Sequence, residues 1–455
     1  MTTERPPFDG DPAPGWPSLA ARRRSALWRI HFWAALIASP FALSATLTGL
    51  LYLFTPQIEH VLYAHLDHVR PRHVAQPLDA AVDAARRAVP GATVQAVVPA
   101  WRPDDSVKVF LAPTVTWPEA NRSMPAMAMP MPAPFGPGAA AEPLVVYVDP
   151  YTDAVLGTQA EHARFSMWSR KLHSSLLQGD RWRWMIELGA SWLMVMLLTG
   201  IYLWWPRNGR PGMPQAGARG RLAWSQWHGF LGVALGILTL AMLTTGLTWS
   251  KYAGAQVRLV RDALGQQPPR PPRGLVSTVA ADGTRLSWQA AADAVRRLSP
   301  DIALRLAPPR GPAGTWQVSN YDQTRPYRRV QLVMDAYSGK PLFRAEWQDL
   351  PPFAKATGIG IPFHRGELSW WNKVLLFLFG TGVLFSLVSG WVMFFRRRRT
   401  GASGWPPLLP GAWRALPPGV WIAAIMLCAI MPLLALSAPI VAAWEGWRYV
   451  RARGT

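Results

Sequence analysis

The sequence of 455 residues predicts an α-helical membrane protein with four transmembrane helices and a fifth apolar run. Two observations lead to this fold class. Half of the residues are hydrophobic, and they are concentrated in long stretches that lack charged side chains. A Ser/Thr-Gly dipeptide also recurs late in each of the first four stretches, each time with a histidine before it. This repetition predicts one unit of helix, outer domain and helix that is used twice, with two small α+β domains outside the membrane.

Four of the five apolar runs are long enough to cross a bilayer, which takes about 20 residues, and the second becomes so if it starts near Trp184 and includes Glu187. Runs without Asp, Glu, Lys or Arg cover 30–58, 188–205, 222–250 and 374–395, and a fifth at 415–444 contains four prolines. The predicted order is a tail at 1–24, a first helix at 25–58, an outer domain at 59–170, an interfacial segment and second helix at 171–206, a loop at 207–221, a third helix at 222–250, a second outer domain at 251–360, an interfacial segment and fourth helix at 361–395, a loop at 396–414, a fifth helix at 415–444 and a tail at 445–455.

Arginine dominates the short loops and predicts the orientation. The loop 207–221, the run 396–399 and residues 22–24 are rich in arginine, so we expect them on the cytoplasmic side. The outer domains then lie in the periplasm if the protein is in a bacterial inner membrane. Because the arginines border apolar runs, the net charge of +21 indicates membrane topology and not nucleic-acid binding. The arginines of the tail 445–455 would break this rule if the fifth run crossed the membrane.

Both outer segments have the pattern of a helix packed on an antiparallel sheet. In the first segment, 78–89 has helical periodicity, and 107–111 and 144–148 have the pattern of strands. In the second segment, the corresponding elements are a helix at 288–298 and strands at 316–319 and 330–334. The sequence therefore predicts two similar small α+β domains.

Four histidines recur in step with the four Ser/Thr-Gly pairs. His31 and His228 each lie 18 residues before a glycine of such a pair, whereas His173 and His364 lie 27 and 26 residues before one. The pairs are Thr48-Gly49, Thr199-Gly200, Thr245-Gly246 and Ser389-Gly390. From the helix directions we expect His31 and His228 near the cytoplasmic face, and His173 and His364 near the outer face. Ionisable groups in membrane spans are costly and are usually functional.

Two imidazoles from different helices near one membrane face suit the axial positions of haem b. Small residues one and two turns after a histidine would leave a slot for the flat macrocycle. These residues are Ala35 and Ser39 after His31, and Gly232 and Gly236 after His228. The only cysteine, Cys428, excludes disulfides and covalent c-type haem within the chain. We therefore predict two non-covalent haems b, with no protein group beyond the haems needed for catalysis.

Two further clusters could hold metal, and each has a simpler alternative. A Pro/Ala-rich stretch of the first outer domain carries thioethers, which are soft ligands that suit Cu(I), or it is a flexible insertion. Its methionines are Met124, Met127, Met129 and Met131. Four histidines follow the first helix and either bind metal or form a solvated, pH-sensitive stretch. They are His60, His65, His68 and His73.

Several motifs together resemble the PepSY-associated transmembrane family over about residues 25–400. They are HFWAALIASPFALSATLTGLLYLF (31–54), YVDPYTDAVLG (147–157), KLHSSLLQGD (171–180), LLTGIYLWWPR (197–207), WHGFLGVALG (227–236) and PFHRGELSWWNK (362–373). The resemblance implies periplasmic PepSY-like domains and b-type haems in a helical core, with the family's histidines at His31, His173, His228 and His364. Its members include inner-membrane ferric-siderophore reductases. No glycine fingerprint of a flavin or NAD site is found in the chain.

The expected function is electron transfer across the inner membrane. Electrons would enter at the His31/His228 haem from a separate cytoplasmic or membrane donor and leave at the His173/His364 haem. The expected acceptor is a ferric siderophore, whose iron is released as Fe(II). The alternatives are reduction of another periplasmic metal, such as copper, and a non-enzymatic PepSY scaffold or regulator whose histidines are structural. A transporter is disfavoured because the spans contain no paired acidic residues.

Overall fold

The computed structural model describes residues 17–112, 143–205, 212–279, 283–299, 302–398 and 405–451. The chain forms two compact units. The first consists of Met1–Leu47, Arg181–Arg258 and Phe377–Thr455, and the second of Thr48–Asp180 and Leu259–Leu376. The methionine-rich stretch at 124–131 lies outside the described residues.

The described part of the chain contains thirteen α-helices and eight strands. The helices are α1 (Leu19–Leu53), α2 (Thr55–Asp67), α3 (Leu78–Ala88), α4 (Phe165–Ser175), α5 (Trp184–Trp204), α6 (Gly220–Ala234), α7 (Gly236–Leu247), α8 (Ala253–Ala263), α9 (Trp288–Leu298), α10 (Pro352–Arg365), α11 (Trp370–Arg398), α12 (Pro418–Ile430) and α13 (Pro432–Arg451). The strands are β1 (Thr93–Val98), β2 (Val107–Ala112), β3 (Leu144–Val148), β4 (Val155–Ala160), β5 (Leu304–Ala307), β6 (Thr315–Asn320), β7 (Val330–Asp335) and β8 (Pro341–Glu346).

Within the described residues, three helices are long and apolar enough to span a membrane by themselves: Leu19–Leu53, Asp180–Trp204 and Trp370–Arg397. A fourth span is possible by length only if α6 and α7 are counted together, because they are bent by 56°. The expectation of one continuous helix at 222–250 was therefore wrong. The bend lies where the Thr239 hydroxyl donates to the carbonyl of Leu235 at 2.9 Å. Such back-bonding competes with the helical ladder and bends helices.

The predicted fifth helix at 415–444 is instead two helices. Met431 leaves the helical conformation, with φ −116° and ψ 87°, because Pro432 follows it and cannot continue the hydrogen-bond ladder. At the start of this segment, Arg23 Nε donates to the carbonyl of Ala415 at 2.8 Å. Near its end, the Glu445 carboxylate accepts from the Trp33 indole at 2.5 Å. Both ends thus contact the first half of α1, and α12 and α13 form a hairpin that returns to its starting level.

A buried ion pair fixes the hairpin to α1. The Arg29 guanidinium donates to both oxygens of Glu445 at 3.0 Å, and both side chains are less than a tenth exposed. Arg29 also donates to the carbonyl of Pro406 at 2.7 Å. Removing one partner of such a pair leaves an uncompensated charge, which costs about 3–5 kcal/mol. We therefore expect Glu445 to be essential for the folding of the first unit.

The second unit is built on one antiparallel sheet of eight strands, in the order β4-β3-β2-β1-β5-β6-β7-β8. The predicted helices and strands of the two outer segments are confirmed, with ends that differ by one residue at most. The expectation of two separate domains was wrong, because β1 pairs with β5 at Val97 and Leu306 and joins the two halves. Edge strands have unpaired backbone groups, and this pairing removes two such edges.

The two faces of this sheet are covered differently. Helices α3 and α9 cover one face over both halves and form the largest apolar core with it. Asp79 on α3 accepts from the first backbone amides of α9, at 2.9 and 3.0 Å, and so caps the neighbouring helix. On the opposite face, α2 packs its Leu66 and Tyr63 against Phe110 and Tyr147 of the first half. In the second half, strands β5–β7 line a cavity on that opposite face.

A charge cluster at the end of α2 anchors it below the sheet. The Arg164 guanidinium donates to both oxygens of Asp67, at 3.1 and 2.6 Å, and Lys108 lies 3.3 Å from the same carboxylate. Burial raises the pKa of Asp67, but the hydrogen bonds from Arg164 and the charge of Lys108 outweigh it. The pKa of Asp67 is therefore lower than that of an ordinary aspartate.

Asp67→Asn should destabilise the second unit by about 1–3 kcal/mol at neutral pH, because Arg164 and Lys108 lose their carboxylate partner. A depressed pKa gives stability above the unfolded value of about 3.9 and loses it as the pH falls. The difference between variant and wild type should therefore shrink below about pH 4. Hydrogen exchange of the α2 amides at several pH values measures it. Asp83→Asn, which breaks the exposed pair of Asp83 with Arg86, is the matched control with almost no effect.

The hairpin of α12 and α13 predicts that residue 451 lies on the same side of the membrane as residue 18. Single cysteines replacing Ser18 or Arg451 in a Cys428→Ser background should react alike with a membrane-impermeant maleimide, before and after cells are permeabilised. If only one of the two cysteines is protected in intact cells, the segment crosses the membrane and the hairpin is wrong.

Candidate functional site

Two histidines face each other in the first unit. The rings of His31 on α1 and His228 on α6 have centres 6.4 Å apart and planes at 87°. His31 Nδ1 lies 3.0 Å from the carbonyl oxygen of Met196 and 3.1 Å from the hydroxyl of Thr199. A carbonyl oxygen can only accept, so Nδ1 carries the proton and the lone pair of the neutral ring is on Nε2.

His228 has the same arrangement on a different helix. Its Nδ1 lies 3.0 Å from the carbonyl oxygen of Ser386 and 2.9 Å from the hydroxyl of Ser389 on α11. The Ser389 hydroxyl donates its own hydrogen to the backbone carbonyl of Ser386 at 2.9 Å, so its oxygen accepts from Nδ1–H of the His228 ring. Nε2 of His228 is therefore also the nitrogen with the free lone pair.

The Ser/Thr-Gly dipeptides of the sequence are the sites on which these histidines rest. A Cβ added to Gly200 would lie 3.1 Å from Cε1 of His31, and one added to Gly390 would lie 3.6 Å from Cε1 of His228. Each dipeptide thus gives a hydroxyl to Nδ1 and leaves room beside the ring. The sequence showed the dipeptides and histidines in step, but it did not show that each histidine packs on the dipeptide of another helix.

The second unit holds a similar pair. The rings of His173 on α4 and His364 on α10 have centres 6.4 Å apart and planes at 61°. Thr48 Oγ1 lies 3.0 Å from His173 Nδ1, and a Cβ on Gly49 would lie 3.4 Å from Cε1 of that ring. The structure therefore brings together the same two pairs that the sequence proposed.

The chain ends α4 in an unusual way directly after His173. Leu176 and Leu177 both have positive φ, 50° and 62°, which is unfavourable for a side chain with a Cβ by about 1–2 kcal/mol per residue. Strain of this kind persists where the surroundings enforce it, and it is frequent at functional sites. Beside His364, the other histidine of this pair, the buried Asn372 amide donates to the carbonyl of Phe363 at 3.1 Å and so holds the turn that follows α10.

The spacing of both pairs fits an iron between the rings. A metal–imidazole bond is about 2.0–2.1 Å long, and the ring centre lies about 1.2 Å beyond the nitrogen. Two rings that bind one metal ion from opposite sides would therefore have centres about 6.4–6.6 Å apart. The observed 6.4 Å of both pairs agrees with this value. Within the described residues no group of three or more His, Cys, Asp or Glu could hold a metal ion. Two imidazoles alone suit haem, since porphyrin supplies the other four ligands.

The residues proposed to form a haem slot are only partly placed for it. A Cβ on Gly232, one turn after His228, would meet no atom within 4 Å, so space is open there. Ala35 is half-buried. Ser39 is buried and accepts from the Trp391 indole at 3.1 Å. Gly236 begins α7 beyond the bend, so the stripe predicted for one straight helix is interrupted.

The other candidate histidines belong to neither of the two facing pairs. The rings of His60 and His68 have centres 5.5 Å apart, and His68 Nδ1 lies 3.4 Å from the carboxylate of Asp104. His65 and His73 are exposed. Both hypotheses for this stretch, a metal site and a solvated, pH-sensitive segment, stay predictions.

The family described as "PepSY-associated TM region" matches residues 28–397. This chain belongs to that family. No curated protein matches the chain. The PepSY-associated region includes both histidine pairs and the four Ser/Thr-Gly dipeptides that recur in step with them, whereas the hairpin of α12 and α13 lies beyond its end.

Sequence reasoning missed the groups that hold the histidines of this PepSY-associated chain. The hydroxyls of Thr48, Thr199 and Ser389 were visible as a repeat but had no assigned role. The carbonyl acceptors of Met196 and Ser386 carry no signal in the sequence, because every residue has a carbonyl. The Arg29–Glu445 pair was also missed, since 416 residues separate its members.

Gly200→Ala should disturb His31, because the new methyl group would lie 3.1 Å from Cε1 of the ring, a tight contact that the ring must yield to. We expect a loss of about 1–3 kcal/mol in stability from overpacking. Gly419→Ala is the matched control, since a Cβ there meets nothing within 4 Å. The control should be neutral or slightly stabilising. Thermal unfolding in detergent compares the two, and equal behaviour would show that His31 does not pack on Gly200.

Proposed function

We propose that the chain is a haem b protein of the bacterial inner membrane that carries electrons from a cytoplasmic-side donor to a periplasmic ferric siderophore. The observation that carries this proposal is the pair of facing histidines, found twice with the same ring separation. Haem b held at each pair would supply a one-electron Fe(III)/Fe(II) couple. The proposal includes the duplicated unit of helix, outer domain and helix, since each pair uses one histidine from each half of the chain.

The chain's own residues set the properties of the inner pair. The Nδ1–H groups of His31 and His228 donate to backbone carbonyls, which keeps Nε2 unprotonated and makes it a stronger electron donor to a metal. Partners of this kind lower the potential of the metal that the ring binds, and their loss weakens binding about 10–100-fold. Thr199 and Ser389 add a second acceptor for each Nδ1–H, which prevents the rings from rotating.

The arginine distribution supports the direction of transfer. The arginines of 22–24, 219–221 and 396–399 favour a cytoplasmic location for the start of α1, the start of α6 and the end of α11 by the positive-inside rule. The hairpin of α12 and α13 removes the one conflict with that rule, because Arg448 and Arg451 then also lie on the cytoplasmic side. Arg448 stacks 4.4 Å from the ring centre of Trp405, at the level where the segment begins.

The acceptor is proposed on chemical grounds. One electron converts the Fe(III) of a siderophore to Fe(II), which binds hard oxygen ligands less well and is released. Copper as the acceptor would need the methionine stretch at 124–131, which lies outside the described residues. A PepSY scaffold without haem remains the alternative from another class, and it requires that the paired rings serve packing only.

His228→Ala should reduce the haem content of the purified protein from two per chain to one, because the inner iron loses an axial ligand. The pyridine haemochrome assay gives the ratio of haem to protein, and dithionite-reduced spectra give the type of haem. His60→Ala, in an exposed stretch outside both pairs, is the matched control and should retain both haems.

His228→Gly in the presence of free imidazole distinguishes loss of a ligand from loss of the fold. Recovery of the second haem with imidazole supports ligation by His228. A wild-type protein that stays colourless after reconstitution with haem contradicts the proposal and favours the scaffold.

A further inference from the structure

One half of the sheet in the second unit has a polar surface where the other half has a packed helix. On strands β5–β7, the residues that point away from α3 and α9 line a cavity of about 610 Å³. This volume is within the range of small-molecule sites, about 300–1,000 Å³. Pro271 and Pro272 form part of its rim, in a segment between α8 and α9.

A row of polar side chains crosses the floor of this cavity. In the strand register, Arg305 pairs with Ser319, and Ser319 pairs with Gln331. On the next level, Gln317 pairs with Ala307 on one side and Val333 on the other. Neighbouring strands are about 4.8 Å apart, so the row presents hydrogen-bonding groups over about 10 Å. The small Ala307 leaves space beside Gln317.

Arg305 is held in place by groups at the edge of the cavity. Its guanidinium lies 4.0 Å from the ring centre of Phe110, and it donates to Glu161 at 3.4 Å. About a third of the side chain is still exposed. A guanidinium has five N–H donors in a fixed plane, so several of them can reach a ligand.

We infer that this cavity binds a small, oxygen-rich metal complex of low net charge, and that this complex is the electron acceptor of the proposed function. Amides and hydroxyls dominate the floor, and they donate hydrogen bonds to carbonyl-type oxygens without requiring an anion. Arg305 is the one arginine among the described residues that line the cavity, and Glu161 offsets its charge. A complex with a threefold negative charge would find too few cations here to replace its water.

The position of the cavity in the second unit suits an acceptor. Gln331 is the second residue of β7, which follows the 3-10 turn Pro326–Arg328. That turn contacts α10, the helix that carries His364. The loop before this turn carries Asp322, whose charge acts on Glu367 in the turn after α10. Burial raises the pKa of Glu367, the charge of Asp322 adds to this effect, and the charge of Arg365 opposes it.

A redox-inert ligand tests the binding without any electron transfer. The probe is the Ga(III) complex of the trihydroxamate desferrioxamine B, titrated by calorimetry into the full chain in detergent. Gln317→Leu combined with Gln331→Leu should weaken binding about tenfold, because two hydrogen-bonding amides are lost. Gln348→Leu, on an exposed residue outside the cavity, is the matched control and should bind as the wild type does.

The charge of the ligand gives a second comparison. The trianionic Ga(III) complex of a tricatecholate siderophore should bind at least about tenfold more weakly than the trihydroxamate complex. Equal affinity of the double variant and the control, tighter binding of the tricatecholate, or no binding to the wild type would each overturn the inference. The claim that the bound complex is the electron acceptor rests on the proposed function, whereas the claim that the cavity binds it does not. A protein without haem that still binds the probe in this cavity would support the binding and contradict the proposed function.

Discussion

The hydrogen bond from an imidazole Nδ1 to a Ser or Thr hydroxyl and a carbonyl on a facing helix determines most of what this chain can do. Inside an apolar bundle, a ring nitrogen without a partner costs as much as any other buried polar group. Met196 and Thr199 satisfy one nitrogen of His31, and Ser386 and Ser389 satisfy the corresponding nitrogen of His228. The second nitrogen of each ring, Nε2, keeps its lone pair available as an acceptor or a ligand.

The rest of the first unit supports this arrangement. Arg29 lies two residues before His31 and Trp33 two residues after it, and both bind Glu445 of the hairpin. The hairpin therefore holds the turn of α1 that carries the histidine. In the second unit the strained turn after His173 and the buried Asn372 have the same effect on the outer pair. Rigid positioning of this kind would limit the structural change during the electron transfer that we propose.

The sequence was sufficient for features that depend on local pattern. Periodicity and alternation located α3, α9 and the strands, and the shared spacing of histidines and Ser/Thr-Gly pairs proposed which rings meet. Features that depend on distant contacts could not be predicted. The pairing of β1 with β5 joins segments about 200 residues apart in the chain, and the return of α13 depends on Glu445 meeting Arg29. The bend at Leu235 was also missed, because its residues are all compatible with a helix.

The measurement that tests the central claim most directly is the EPR spectrum of the oxidised, purified protein. The inner rings have planes at 87° and the outer rings at 61°. The account predicts two low-spin ferric haem signals, both strongly anisotropic, because the axial imidazole planes are far from parallel. The absence of low-spin haem would contradict the account. A single high-spin signal would contradict it too, since it would mean that the facing histidines do not both bind iron.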